Sequence, residues 1–249
     1  MDQEVNGTAH YSVHPSILQP GGRGSQRRSA ALQESARTRD EKLYFPGHAK
    51  SLSGIAARAF LLGLVLSFSL VLVVLLLLNG SLLWRLPSFF AALSVFHFLE
   101  FWTTARYNTE SAQVSSFLLS QNGSAYNIAH TAAVLEFLSR NFLFPSKSLI
   151  PSYATMLMVL VGLVMIAVGQ LVRSAAMIQA GTNFSHIVQD KKTEDHQLVT
   201  SGIYHHLRHP SYFGFFWWGL GTQLVLGNVL CFTGYTVVLW RFFSRRISG

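Results

Sequence analysis

Ala59 to Leu78 is a run of twenty residues without a single charge. A helix needs about 20 apolar residues to cross the hydrocarbon core of a bilayer. No water reaches the backbone there, so every N–H and C=O must be satisfied within the segment. The run therefore reads as a transmembrane helix, closed by the turn signal Asn79-Gly80-Ser81. The rest of the chain suits the same solvent: only 12% of its residues are charged, where a soluble domain carries about a quarter.

Four further apolar stretches follow. Leu86 to Ala105 carries His97 and Glu100, and Tyr126 to Phe144 carries His130, Glu136 and Arg140. Tyr153 to Val172 is uncharged and flanked by Arg173. Tyr212 to Phe243 is too long for one upright helix and is interrupted at Gly227-Asn228, so it predicts a tight hairpin of two short spans. The expected fold is all-α: a polytopic transmembrane helical bundle of about six spans with a C-terminal helical hairpin. Residues 1–53 are rich in Gly, Ser, Gln and Arg and poor in branched aliphatics, which predicts a disordered cytosolic tail ahead of a transmembrane domain over 54–249. The tail has no apolar core near its start, so no signal peptide is expected.

Charge orients the spans. Six of them place both termini and the polar 180–212 loop on one side. That side collects sixteen Lys and Arg residues, against Arg85 and Lys147 on the other. Basic residues concentrate on the cytosolic side of membrane proteins, so both termini and the loop are expected there. The net charge of +8 thus reflects orientation, and no nucleic-acid partner is implied. The Asn-x-Ser/Thr matches at Asn6, Asn79, Asn122 and Asn183 read as chance occurrences of a short pattern. The single cysteine, Cys231, excludes an internal disulfide.

Ionisable groups within spans are costly and normally face the protein interior or a wet cavity. Glu136 and Arg140 are four residues apart, and His97 and Glu100 three, so each pair lies on one helix face and is expected to neutralise itself or to hold helices in register. Glu100, near the cytosolic end, also has a claim to line a cavity.

The chemistry-bearing stretch is AGTNFSHIVQDKKTEDHQLVTSGIYHHLRHPSY, from Ala180 to Tyr212, which holds five histidines beside a membrane interface. Pro210 suits the first turn of a helix, and His209 and Tyr212 fall within one turn at that end. The free N–H groups of a helix N-terminus favour an anionic ligand. Metal binding by His205, His206 and His209 fits on spacing alone, but the HExxH or cysteine frame usual for zinc is absent, so no metal is expected. No GxGxxG follows a strand, which excludes a Rossmann nucleotide site.

The blocks HFLEFWTTARYN, SSFLLSQNGSAYNIAHTAAVLEF, AGTNFSHIVQ, HQLVTSGIYHHLRHPSYFG and WRFFSRRI occur in order between Phe89 and Ile247. In these blocks the chain resembles the eukaryotic isoprenylcysteine carboxyl methyltransferases. The resemblance implies methyl transfer from S-adenosylmethionine to the C-terminal carboxylate of a prenylated cysteine in CaaX-processed proteins, at the endoplasmic reticulum membrane. It assigns cofactor contacts to Gln189, to His196, Gln197, Leu198 and Val199, to Tyr204, and to His209, Pro210, Ser211 and Tyr212. It gives Arg246 the role of holding the prenylcysteine, and it assigns no catalytic acid or base. An α-carboxyl ionises with a pKa of about 3.5, so it needs no base at neutral pH; positioning and exclusion of water are expected to carry the rate. Family members continue with glutamates, one of which contacts the cofactor, whereas this chain stops at Ser248-Gly249. The alternative reading is accordingly a non-catalytic member of the family. A further alternative is an NADPH-dependent membrane sterol reductase, which shares an RHPxY-like element but is expected to have more spans.

Overall fold

The computed structural model describes residues 23–119, 121–143, 152–185 and 198–248, all of them helix, turn or irregular connection with no strand. The chain divides into two compact units, Met1–Leu43 and Tyr44–Gly249. The first contains helix α1 (Arg23–Lys42), where composition predicts disorder. Low hydrophobicity argues against a buried core, but it does not forbid a local helix. The SAALQESAR stretch is rich in helix formers, and Arg37 pairs with Glu41 one turn on at 3.3 Å. The boundary also falls earlier than the composition shift at residue 53. Ser51 is buried and caps the next helix by accepting from the Gly54 N–H at 3.1 Å. The Val114 N–H donates to Ala49 O at 2.7 Å. Residues 44–53 therefore belong to the larger unit.

That unit contains α2 (Leu52–Leu78), α3 (Arg85–Tyr107), α4 (Gly123–Phe142), α5 (Ser152–Ala180), the short α6 (Ile203–His206), α7 (Pro210–Leu226) and α8 (Leu230–Ser248). Among the described residues three helical segments are long and apolar enough to cross a membrane: Leu52–Leu78, Leu82–Tyr107 and Tyr153–Asn183. The protein is thus an all-helical membrane protein. The other three long helices do not meet that measure, and each has a reason. The α4 helix carries Glu136 and Arg140, α8 ends in three arginines, and α7 has only 17 residues.

Helix α7 is the centre of the bundle, with eleven of its 17 residues buried. Its main neighbour is α5, and glycine decides how close they come. A Cβ on Gly169 would lie 2.6 Å from Gly214 O, and one on Gly214 the same distance from Gly169 O. Seven residues along, a Cβ on Gly162 would lie 2.9 Å from Gly221 O and one on Gly221 2.7 Å from Gly162 O. Gly162, Gly169, Arg173 and Ala176 share one face of α5, since their spacings of seven, four and three each return to the same side. Close backbone approach through small residues is how helices associate where lipid is as apolar as leucine. Helix α2 is the opposite case: only Leu62 and Ser69 are buried, so its leucine-rich surface is left for lipid.

The Gly227-Asn228 interruption becomes a tight turn. Gly227 is left-handed, with φ +73°, and its N–H donates to Gln223 O and Leu224 O. The Asn228 N–H reaches Gln223 O at 3.0 Å, which completes a glycine-terminated helix end. Helix α8 packs against α7. Helix α4 supports this turn, and here the expected intrahelical pairs are replaced by contacts between helices. Glu136 does not neutralise Arg140; its carboxylate accepts from the N–H groups of Val229, Leu230 and Cys231 at 2.7 to 2.9 Å. Three unsatisfied donors at the start of α8 outcompete one cation. Arg140 donates instead to Gly227 O. His97 likewise leaves Glu100, placing Nδ1 2.8 Å from Phe117 O and Nε2 3.1 Å from the Tyr126 hydroxyl.

Gly169→Ala and Gly214→Ala are expected to lower the melting temperature in detergent by several degrees each. Overpacking costs about 1–3 kcal/mol, and 1 kcal/mol is worth roughly 2–4 °C at this size. Gly63→Ala, which meets nothing within 4 Å, is the control and should leave the transition in place.

Candidate active site

The register set by the glycines delivers Arg173 to the first turn of α7. Arg173 lies seven residues inside the end of α5, because that helix continues past Val172, where hydropathy ends the span. Its Nε and Nη2 donate to the two carboxylate oxygens of Glu100 on α3, the latter at 2.8 Å. Its Nη1 donates to the Ser211 hydroxyl on α7 at 3.0 Å. The guanidinium is flanked by the rings of Phe96 and Phe215, each 5.3 Å from its carbon to the ring centroid. Glu100 is 1% exposed. A buried charge is tolerated only when paired and hydrogen-bonded, and here one arginine ties three helices together. Sequence spacing missed it, because Arg173 reads as a flanking residue once its helix is ended too early.

The connector docks onto the same end of the bundle. Gly202 has φ +60°, and a Cβ there would overlap the Gln179 side chain. That closeness lets the Ile203 N–H donate to Gln179 Oε1 at 2.6 Å. The Tyr204 hydroxyl donates to Ala176 O at 3.2 Å. Burial pushes its phenol above the ordinary value, so it remains a neutral donor at physiological pH. His209 stacks on Tyr212 with centroids 5.7 Å apart, and Tyr212 stacks on Phe243 of α8 at 4.8 Å. This aromatic ladder joins the start of α7 to the end of α8. Arg246 falls three residues beyond Phe243, in the last turn of α8.

Of the residues singled out in the sequence, Tyr204, His209, Pro210, Ser211 and Tyr212 gather at this end, and the turn bearing Arg246 joins them. Pro210 and Ser211 are buried, and the Ser211 hydroxyl is held by Arg173. Leu198 is 88% exposed and Val199 half-buried. Gln189, His196 and Gln197 lie outside the described residues. The N-terminus of α7 has no side-chain cap, so its first-turn N–H groups still have hydrogen-bonding capacity for an anion.

Residues 108–119 supply a further feature. They fold back beside α3, stacking Phe117 on Phe101 with centroids 4.2 Å apart. The Asn108 amide donates to Phe184 O at 3.0 Å, which ties this fold-back to the AGTNFS stretch. Between them lies a cleft of about 260 Å³, lined by Thr104, Glu110, Gln113, Ser116, Phe184 and Ser185 among others. Asn108 and the run of Ser and Gln after it are the sequence signals for this fold-back.

Removing one partner of a buried ion pair costs about 3–5 kcal/mol, because the other charge is left stranded. Glu100→Gln is therefore expected to destabilise the protein strongly in thermal unfolding. The double variant Glu100→Gln, Arg173→Met should be the more stable of the two, since it removes the stranded cation.

Residues 152–249 match the sequence profile of the Isoprenylcysteine carboxyl methyltransferase (ICMT) family. The chain is 50% identical over 160 residues to the protein-S-isoprenylcysteine O-methyltransferase of Saccharomyces cerevisiae, a match covering 64% of this chain and 66% of that protein. It is 44% identical over 178 residues to the Schizosaccharomyces pombe protein of the same name, covering 66% of this chain and 73% of that one. The fold superposes with a TM-score of 0.69 and 31% identity on a solved eukaryotic intramembrane Ras methyltransferase ICMT, covering 90% of this chain and 76% of that one. The chain spans about half to two thirds of the length of several curated relatives that carry this name. On this profile, identity and shared fold, the chain belongs to the isoprenylcysteine carboxyl methyltransferase family.

Proposed function

We propose that this chain methylates the C-terminal carboxylate of prenylated cysteine in CaaX-processed proteins, with S-adenosylmethionine as donor, at the cytosolic face of the endoplasmic reticulum membrane. The observation that carries this reading is the aromatic ladder His209–Tyr212–Phe243, which holds the HPSY element and the Arg246 turn at one end of the bundle. The names of the relatives support the same chemistry. No observation favours a sterol reductase.

The described residues fit the donor. The uncapped N-terminus of α7 suits its carboxylate, and the stacked His209 and Tyr212 rings offer a flat face to a cationic or aromatic group. The Ser211 oxygen accepts from Arg173, which leaves its hydroxyl hydrogen and its backbone N–H as donors, while Pro210 fixes the turn and donates nothing. The family resemblance assigns Tyr204, Leu198 and Val199, and with them Gln189, His196 and Gln197, to the donor. When bound, S-adenosylmethionine supplies an electrophilic methyl group. Arg246 orients the prenylcysteine carboxylate, which is ionised at neutral pH without a base. Complete neutralisation would weaken the nucleophile, so its part is positioning. The prenyl chain belongs in lipid, each buried CH₂ contributing about 0.8 kcal/mol. This explains why such a site sits at the mouth of a helical bundle.

The finer topology belongs to this proposal. Six spans, with α7 and α8 as the C-terminal hairpin, keep both termini and the connector cytosolic and agree with the sixteen-to-two distribution of basic residues. Cysteine-accessibility mapping in sealed microsomes tests it directly; a label at residue 200 reached only from the lumen would end the methyltransferase reading. The activity test is transfer of radiolabelled methyl to N-acetyl-farnesylcysteine by membranes containing the chain. Arg246→Ala should lower turnover at least about tenfold while crosslinking of labelled S-adenosylmethionine persists. Tyr212→Ala should weaken the crosslinking itself. Unchanged turnover in Arg246→Ala would remove the substrate role.

A further inference from the structure

The end of the bundle opposite the connector holds a second arrangement that methyl transfer does not use. Arg85 opens α3 and Arg140 lies in the last turn of α4. Both reach the left-handed Gly227 that ends α7. A single point, the Cβ position of Gly227, lies 2.9 Å from Arg140 Nη2 and 3.1 Å from Arg85 Nη1. The two guanidinium groups therefore approach within roughly 6 Å of each other. Arg85 is only 6% exposed, and its Nε is buried without a hydrogen-bond partner. Among the described residues neither arginine forms an ion pair. Arg140 has Gly227 O, and the nearby carboxylate of Glu136 is committed to three N–H groups of α8.

This is an unstable arrangement by itself. A guanidinium cannot shed its proton to escape burial. A second cation beside it adds repulsion; the N-terminus of α3 adds positive potential, and the carbonyl ends of α4 and α7 offset part of both. Buried charges are normally paired, so two convergent, donor-rich forks with one carbonyl between them define a site for an anion. Planar forks of this kind match phosphate bidentately. The surroundings identify what carries the phosphate. Leu82, Phe142, Val229 and Leu230 are all exposed apolar residues within one turn of the site in sequence, a surface suited to acyl chains. Basic pockets between transmembrane helices bind lipid headgroups.

We propose that Arg85 and Arg140 form a binding site for the phosphate of a net-anionic glycerophospholipid at the end of the bundle opposite the connector. The lipid completes the junction of α3, α4 and the α7–α8 turn. The proposal stands apart from the methyltransferase reading, since it concerns the other end of the molecule.

The test uses the full chain purified in neutral detergent. Native mass spectrometry and thermal unfolding are followed on adding phosphatidylinositol, phosphatidylcholine or inorganic phosphate. Wild type should retain about one phosphatidylinositol per chain and melt higher with it than with phosphatidylcholine. Arg85→Gln should retain it about tenfold less and lose the increment. In phosphatidylcholine alone Arg85→Gln should melt no lower than wild type, because it removes a buried unpaired charge. Arg140→Gln, at an exposed position, repeats the loss and decides the matter if Arg85→Gln does not fold. Equal retention of phosphatidylcholine, or wild-type retention of phosphatidylinositol by the variants, would overturn the proposal. So would inorganic phosphate alone producing the full increment, which would assign the site to a soluble anion.

Discussion

The contact on which the rest depends is the approach of two backbones, α5 and α7, through paired glycines. Each glycine faces a carbonyl of the other helix at a distance that leaves no room for a Cβ. In lipid there is no hydrophobic force between helices, so dispersion across a close interface and the absence of bulk are what hold them. The spacing of seven residues on both helices repeats the contact and fixes the register. That register determines where everything else on the same face of α5 must lie.

Arg173 is the main consequence. It follows Gly169 by four residues and so emerges opposite Ser211, in the first turn of α7. Glu100 meets it from α3, and the three helices are locked at the end where the connector docks. The site is then assembled from parts already held rigidly: an uncapped helix start, an aromatic ladder to α8, and a tyrosine anchored on α5. At the other end, Glu136 closes the α7–α8 turn by occupying the first N–H groups of α8. Glu100, Arg173 and Glu136 thus each join elements distant in the chain.

Much of the fold was legible because lipid imposes a simple rule on composition. The uncharged run at Ala59–Leu78 lies within α2, and Asn79-Gly80-Ser81 follows its end; Gly227-Asn228 is a turn between two helices, as its position in an apolar run implies. Of the two expectations for the charged pairs, contact between elements holds and neutralisation within the helix does not. Glu136 with Arg140, and His97 with Glu100, are neighbours on a helix face, and spacing alone makes them partners. In the folded protein Glu136, Glu100 and His97 each meet a partner from another element: the open N–H groups of α8, the buried Arg173, the Phe117 carbonyl. The fold-back of residues 108–119 was not legible, since its polar composition describes a solvent-facing loop equally well.

What the sequence by itself determined is the solvent, the helical class and the identity of the motifs, because apolar run length, turn residues and motif order are local properties. It also held the glycine spacings, without indicating which helices would meet through them. The tertiary structure decided the pairing: which helix lies against which, in what register, and therefore which charge finds which partner. Those choices depend on steric exclusion at the α5–α7 contact and on competition among buried donors and acceptors. Both arise only between segments far apart in the chain.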